Sequence, residues 1–367
     1  MTVQEHRIYL DHNATAPVYP EVVDAVSTGL RELGNASSVH ADGRSVRGTI
    51  EDARDSVGKL IGVPSSAITF SSGGTEANAT VIRGLLGSGV VSNVYCSAVE
   101  HPSVLEHVNP QYHCPVNSDG QIDLNELEDV LKKQDAPFLF CIMLANNETG
   151  VIQPVSEVSA LVHDQGGLVL CDSVQGPGKL SLETDSLGAD FLTFSSHKIG
   201  GPQGVGCFTM NTDVALEPLL VGGGQEKKRR SGTENAPGIA GFGVAARITG
   251  ERQHPEHVGQ IRDQLEDALL EARPDAVVFG QGVPRISNTT NIAIPGVSSE
   301  RQLIKLDLAG YSVSAGAACS SGKVSSSHVL LAMGVSEDMA KSSIRISIGA
   351  DTAWSDLEKF VEIWATL

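Results

Sequence analysis

The sequence predicts an α/β fold: a large domain with a mostly parallel sheet flanked by helices, joined to a smaller α/β domain. Three observations predict it. Apolar runs of strand length alternate with segments of helical periodicity through the first two thirds of the chain. Polar motifs recur just after those runs, as they do at the carboxyl edge of an open parallel sheet. At 367 residues, the chain exceeds what one hydrophobic core organises.

Composition sets outer limits. A formal net charge of -18 argues against a nucleic-acid backbone or an anionic membrane as principal partner, since both attract basic surfaces. No apolar run is long enough to span a bilayer, and Met1 to Arg7 lacks the apolar core of a signal peptide, so a cytoplasmic protein is expected. The cysteines Cys96, Cys114, Cys141, Cys171, Cys207 and Cys319 form no CxxC pair and read as free thiols of a reducing compartment. Five lie in apolar surroundings as small core residues; Cys319 does not.

In chain order, Tyr9-Leu10-Asp11-His12-Asn13 is a short apolar start running into polar residues. Pro20 opens a helix that Gly34 is expected to end. From Ser45 to Ile61, the residues Val46, Ile50, Ala53, Val57, Leu60 and Ile61 recur at helical steps and mark a packing helix. Ile68-Thr69-Phe70 is a strand, and Ser71-Ser72-Gly73-Gly74-Thr75 turns it into a helix reaching about Leu86. Strand, glycine turn and helix suit an anion: backbone amides approach closely, the helix start is positive, and Thr75 adds a hydroxyl. Such turns are also common with no ligand, and this one has neither the Walker lysine nor the full dinucleotide fingerprint.

Val94-Tyr95-Cys96 leads to His101; a histidine so placed is more often structural than catalytic. A helix over Leu124 to Lys133 and a buried strand over Pro137 to Leu144 precede Asn146-Asn147-Glu148-Thr149-Gly150, by itself a polar turn. After a helix over Val155 to Gln165, the run Leu168 to Cys171 should deliver the Asp172 carboxylate at a strand end, with Gln175 one turn on. The run Phe191 to Phe194 then leads into Ser195-Ser196-His197-Lys198. A lysine is a nucleophile when deprotonated, a state that partial desolvation favours, and Ser195 and His197 supply donors for an anionic group. Pyridoxal phosphate needs such a lysine for its aldehyde, a carboxylate for its ring nitrogen and donors for its phosphate.

Gly222 to Asn235 is the most basic stretch, without the interleaved aromatics or wider basic field of a nucleic-acid site. Past about Glu251 a charged segment, a helix over Val258 to Glu271 and short strands mark the smaller domain. The expected division is 14–250 for the large domain, and 1–13 with 251–367 for the small one. Within the latter, Ser314 to Ser327 surrounds Cys319 with small residues; an uncovered thiol is a liability unless used. Arg345, in the alternating run Ser342 to Gly349, offers a planar fork to a carboxylate, a structural salt bridge being the competing reading.

Cys171-Asp172-Ser173-Val174-Gln175, Ser195-Ser196-His197-Lys198 and Arg230-Ser231-Gly232-Thr233 resemble the cysteine desulfurases, fold-type I pyridoxal phosphate enzymes that supply sulfur to iron-sulfur cluster assembly. The match runs from Tyr9 to Arg345. The resemblance implies that Lys198 carries pyridoxal 5'-phosphate, with Gly74, Thr75, Ser195 and His197 at its phosphate and Asp172 and Gln175 at its ring. It places His101 flat over that ring, able to move protons near neutral pH, and Asn147 against the phenolic oxygen and the substrate carboxylate. Asn13 and Arg345 are implied to meet the carboxylate of L-cysteine, and Thr233 to reach the partner subunit's cofactor in a homodimer. Cys319, on the longer serine-rich loop of one family branch, would take sulfur and pass a persulfide to an acceptor such as an iron-sulfur scaffold. No metal is implied. A selenocysteine lyase, or another lyase or aminotransferase of this fold, is the alternative. Departures from the family pattern are Ala36 for proline, Lys227 for arginine, and Gly349-Ala350-Asp351-Thr352 for Gly-Arg-x-Asn-Thr.

Overall fold

The structure, a computed structural model, describes residues 7–134, 137–180, 184–252, 255–316 and 326–367. Its strands are β1 (Ile8–Tyr9), β2 (Ile68–Ser71), β3 (Asn93–Ser97), β4 (His113–Cys114), β5 (Phe138–Met143), β6 (Leu168–Asp172), β7 (Phe191–Ser195), β8 (Gly206–Met210), β9 (Val277–Val278), β10 (Thr289–Ala293), β11 (Tyr311–Ser312), β12 (Ser314–Ala315) and β13 (Ser343–Ser347). Seven form one sheet in the order β2-β8-β7-β6-β5-β3-β4. From β7 to β4 neighbours run parallel, whereas β8 lies antiparallel between β7 and β2. The reversal has a simple cause: the stretch 196–205 is shorter than the dozen or more residues that a parallel crossover requires.

The continuous apolar runs are explained by two cores, one on each face of this sheet. Phe140 and Ile142 of β5, Val169 and Cys171 of β6, and Leu192 and Phe194 of β7 enter one core with Val46, Ile50 and Val57 of the helix Ala41–Ile61 and Phe242 of the helix Ala236–Glu251. Their neighbours Leu139, Cys141, Leu170 and Phe191 point the other way, against Ala77, Val81 and Leu85 of the helix Gly74–Gly87. Successive strand side chains alternate faces, so both registers must be apolar. Burying each such phenylalanine contributes about 1.5–3 kcal/mol. Cys96, Cys114, Cys141, Cys171 and Cys207 are buried free thiols, as expected.

A second sheet, β12-β13-β10-β9, is antiparallel. Ile292, Ile344 and Ile346 from it pack with Leu265, Phe360 and Trp364 of the helices Pro255–Ala272 and Trp354–Ala365, and Leu10 joins them. The chain start reaches this core because β1 pairs with β11 in parallel, Ile8 opposite Tyr311.

Helix ends differ from the expectation. The helix opened by Pro20 stops at Gly29 rather than Gly34; beyond it Leu30 and Leu33 are 73% and 85% exposed, so no core rewards another turn. The next helix starts at Ala41, four residues before Ser45, because His40 Nδ1 accepts from the Gly43 N–H at 3.3 Å. Among the described residues, no helix is long and apolar enough to cross a membrane.

Candidate active site

The carboxyl ends of β5, β6 and β7 open on a cavity of about 600 Å³, which Arg345 of β13 also lines. Asn13, Gly74, Thr75, His101, Asn147, Asp172, Gln175, Ser195, His197, Lys198 and Arg345 all line it. Two expected residues stand apart. Thr233 is exposed and lines a separate cavity beside Gly29 and Leu30, so a single chain does not bring it to Lys198. Cys319 lies outside the described residues; Gly316 and Ser326, which bracket the undescribed stretch containing it, both line the main cavity.

Lys198 sits in the single turn Ser196–Ile199 that follows β7. Gly200 ends that turn with φ 77°, where a Cβ would also come within 2.6 Å of the Tyr19 ring, so a side chain is doubly excluded. Lys198 Nζ donates to the carbonyls of Asn13 at 2.6 Å and Ala14 at 2.8 Å. Asp172 is the last residue of β6, at the strand end as expected. Its Oδ2 accepts from Asn78 Nδ2 at 2.9 Å and its Oδ1 from the Val174 N–H at 3.1 Å.

His101 Nδ1 accepts from the Ser103 N–H at 3.1 Å, which leaves the neutral ring's proton on Nε2. Burial pushes His101 below the ordinary histidine value; Lys198 and His328 act with burial and Asp172 against it. His197 is lowered to about 4 by burial, with Lys198 and Lys179 adding, and its Nδ1 is buried without a partner among the described residues. Arg345 Nη2 donates to Asp11 Oδ1 at 2.6 Å and Nη1 to the Asn147 carbonyl at 2.9 Å, while Nε is buried with no partner among the described residues. At Gly74 a Cβ would lie 2.8 Å from Val174 Cγ2, so only glycine lets this helix start approach the strand ends.

Sequence reasoning missed Asn78, Lys179, Glu100, Glu148 and His328. Asn78 hid inside a helix, although an asparagine between Ala77 and Val81 on an apolar face is itself a signal. Burial raises the Glu100 carboxyl to about 8, with the Asp172 charge adding, although Ser97 Oγ and the Met143 N–H donate to it. Glu148 is raised to about 7, chiefly by burial, and accepts from Ser327 Oγ.

Two buried nitrogens of residues lining the cavity, His197 Nδ1 and Arg345 Nε, have no partner among the described residues. The same cavity is lined by Ser195, the Gly74-Thr75 helix start, the Lys198 amine and the Asp172 carboxylate, which accepts two hydrogen bonds. A flat group bearing a phosphate, an aldehyde and a basic ring nitrogen fits this donor set, and pyridoxal phosphate is such a group.

Residues 8–360 match the aminotransferase class-V family. A cysteine desulfurase of Nostoc sp. is 40% identical over 369 residues, covering 97% of this chain and 91% of that protein. Another, from Sinorhizobium fredii, is 38% identical over 369 residues, covering 97% of this chain and 95% of that protein. The X-ray structure of a NifS-like protein from Rickettsia africae superposes with a TM-score of 0.89 at 35% identity, covering 98% of this chain and 99% of that one.

Proposed function

We propose, for a chain that belongs to the aminotransferase class-V family and is a cysteine desulfurase, that Lys198 holds pyridoxal phosphate and Cys319 receives the sulfur of L-cysteine. The observation that carries this reading is the meeting of Lys198, Asp172 and Arg345, whose Nε has no partner among the described residues, at one cavity. Gly74, Thr75, Ser195 and His197 would hold the phosphate, Asp172 the ring nitrogen, and Gln175 and Asn147 the phenolic oxygen, under His101. Once bound, the cofactor supplies an electron sink for charge developing on the substrate.

The chain's own groups do the rest. Arg345, with Asn147 and Asn13 beside it, holds the α-carboxylate of L-cysteine and so orients its α-proton toward Lys198. Lys198 takes that proton as base; the Asn13 and Ala14 carbonyls, both acceptors, hold its amine by the N–H groups. His101, kept neutral by burial, exchanges a proton at Nε2. The Cys319 thiolate attacks the substrate sulfur, the carbon-sulfur bond breaks with its electron pair left on carbon, and protonation there gives L-alanine. Cys319 is three residues from Gly316 at the cavity wall, and three extended residues span about 10 Å.

Thr233, exposed and apart from Lys198, is assigned to the partner subunit's cofactor in a homodimer. The persulfide then passes to an acceptor protein such as an iron-sulfur scaffold, in the cytoplasm. The division into 14–250 and 1–13 with 251–367 is supported by the separate cores of the two larger sheets.

Titrating the apo-protein with pyridoxal phosphate tests the reading. A visible absorbance band develops in wild type and not in Lys198→Ala, and the loaded protein converts L-cysteine to L-alanine. No uptake by wild type, or undiminished turnover by Lys198→Ala, refutes it.

A further inference from the structure

Lys179 lies four residues beyond Gln175, is buried, and forms no ion pair among the described residues. Its Nζ donates to Asn13 Oδ1 at 3.1 Å and to Gln175 Oε1. An amide side chain has nearly the same shape with its oxygen and nitrogen exchanged, so its direction is set by what it meets. Burial lowers Lys179 well below the usual lysine range, with Lys198 and Arg345 adding; even the neutral amine keeps two N–H donors.

The consequences spread from there. With Oδ1 on Lys179 and on Asn288 Nδ2, Asn13 turns its Nδ2 to the Asn147 carbonyl at 3.1 Å and to Thr289 Oγ1 at 2.8 Å. With Oε1 on Lys179, Gln175 turns its Nε2 to the Asn13 carbonyl at 3.1 Å, the carbonyl that also takes Lys198 Nζ.

We propose that Lys179 is a positioning residue for the cofactor: by holding both amide oxygens it leaves the Gln175 nitrogen as the donor end available to an anionic oxygen in the cavity. The inference rests on the pyridoxal phosphate reading above. Without Lys179, the Asn13 carbonyl alone still directs the Gln175 amide, and the orientation that presents its oxygen to that anion becomes less costly.

The test is equilibrium titration of apo-protein with pyridoxal 5'-phosphate, read by absorbance, on wild type, Lys179→Met, Gln175→Ala, the double variant and Gln175→Glu. Lys179→Met weakens binding about tenfold alone but less than about twofold in the Gln175→Ala background, because the lysine acts through the glutamine. Gln175→Glu, which has no donor end and leaves Lys179 intact, loses at least as much. Unchanged affinity in Lys179→Met, an equal loss in both backgrounds, or full affinity in Gln175→Glu overturns the proposal. Should Lys179→Met not fold, Lys179→Ser takes its place in the same comparison of the two backgrounds. Wild type that takes up no cofactor refutes the underlying reading instead.

Discussion

The side-chain amide of Asn78 donates to the Asp172 carboxylate at 2.9 Å, and Thr193 Oγ1 donates to Asn78 Oδ1 at 2.8 Å. Thr193 thereby fixes which end of the asparagine faces Asp172. Asn78 stands one turn into the helix whose first residues, Gly74 and Thr75, are the proposed phosphate donors. In the proposed reading, one helix would therefore serve both ends of the cofactor.

Asn78→Ala leaves Asp172 with the Val174 N–H, at 3.1 Å, as its one hydrogen-bond donor among the described residues, and cofactor affinity should fall about tenfold. Asn78→Asp should fall further, because a second carboxylate opposes the charge on Asp172. Absorbance titration of both apo-variants checks the order.

Gly74→Ala forces a methyl to within 2.8 Å of Val174 Cγ2 and moves the helix start. Its cofactor affinity should drop at least about tenfold. Gly48→Ala is the control: nothing lies within 4 Å of its Cβ on the helix Ala41–Ile61, and stability should rise by about 0.5–1 kcal/mol. Cofactor titration and thermal unfolding measure the two effects.

Arg345→Lys loses the fork that reaches Asp11 and the Asn147 carbonyl together while Nε stays available. KM for L-cysteine should rise about tenfold or more, with cofactor affinity near wild type. Steady-state kinetics beside cofactor titration makes this comparison.

These predictions also mark what could be read from the chain alone. Lys198, Asp172 and Gln175 were legible because each follows an apolar run whose side chains alternate between two cores, which fixes where strands end. Asn78, Lys179 and Glu148 were not. Their meaning lies in contacts 94, 166 and 179 residues away, with Asp172, Asn13 and Ser327. No local period carries that information. The antiparallel setting of β8 was missed for a related reason: a short connection, not a residue pattern, dictates it.

Stability should depend on pH through Glu100. Its carboxyl is raised from 4.5 to about 8 by burial. Between those values the folded state keeps a proton that the unfolded chain has released, so stability falls as pH rises through the window, by up to about 1.4 kcal/mol per unit. The lowered Lys179 slopes the other way, and the lowered His12 and His197 do so below pH 6.5. The difference between proteins isolates the carboxyl: Glu100→Gln should gain on wild type as pH goes from about 6.5 to 8. Denaturant unfolding across that range should show the gap widening, and a constant gap would contradict it.

Mass spectrometry of the Cys319 peptide after the loaded enzyme has met L-cysteine, with no other thiol present, tests the central claim most directly. The account predicts one added sulfur on Cys319, matched by L-alanine, and neither product accumulating in Cys319→Ala. Sulfide and L-alanine released by Cys319→Ala at the native rate, with Cys319 of the wild type unmodified, would contradict it.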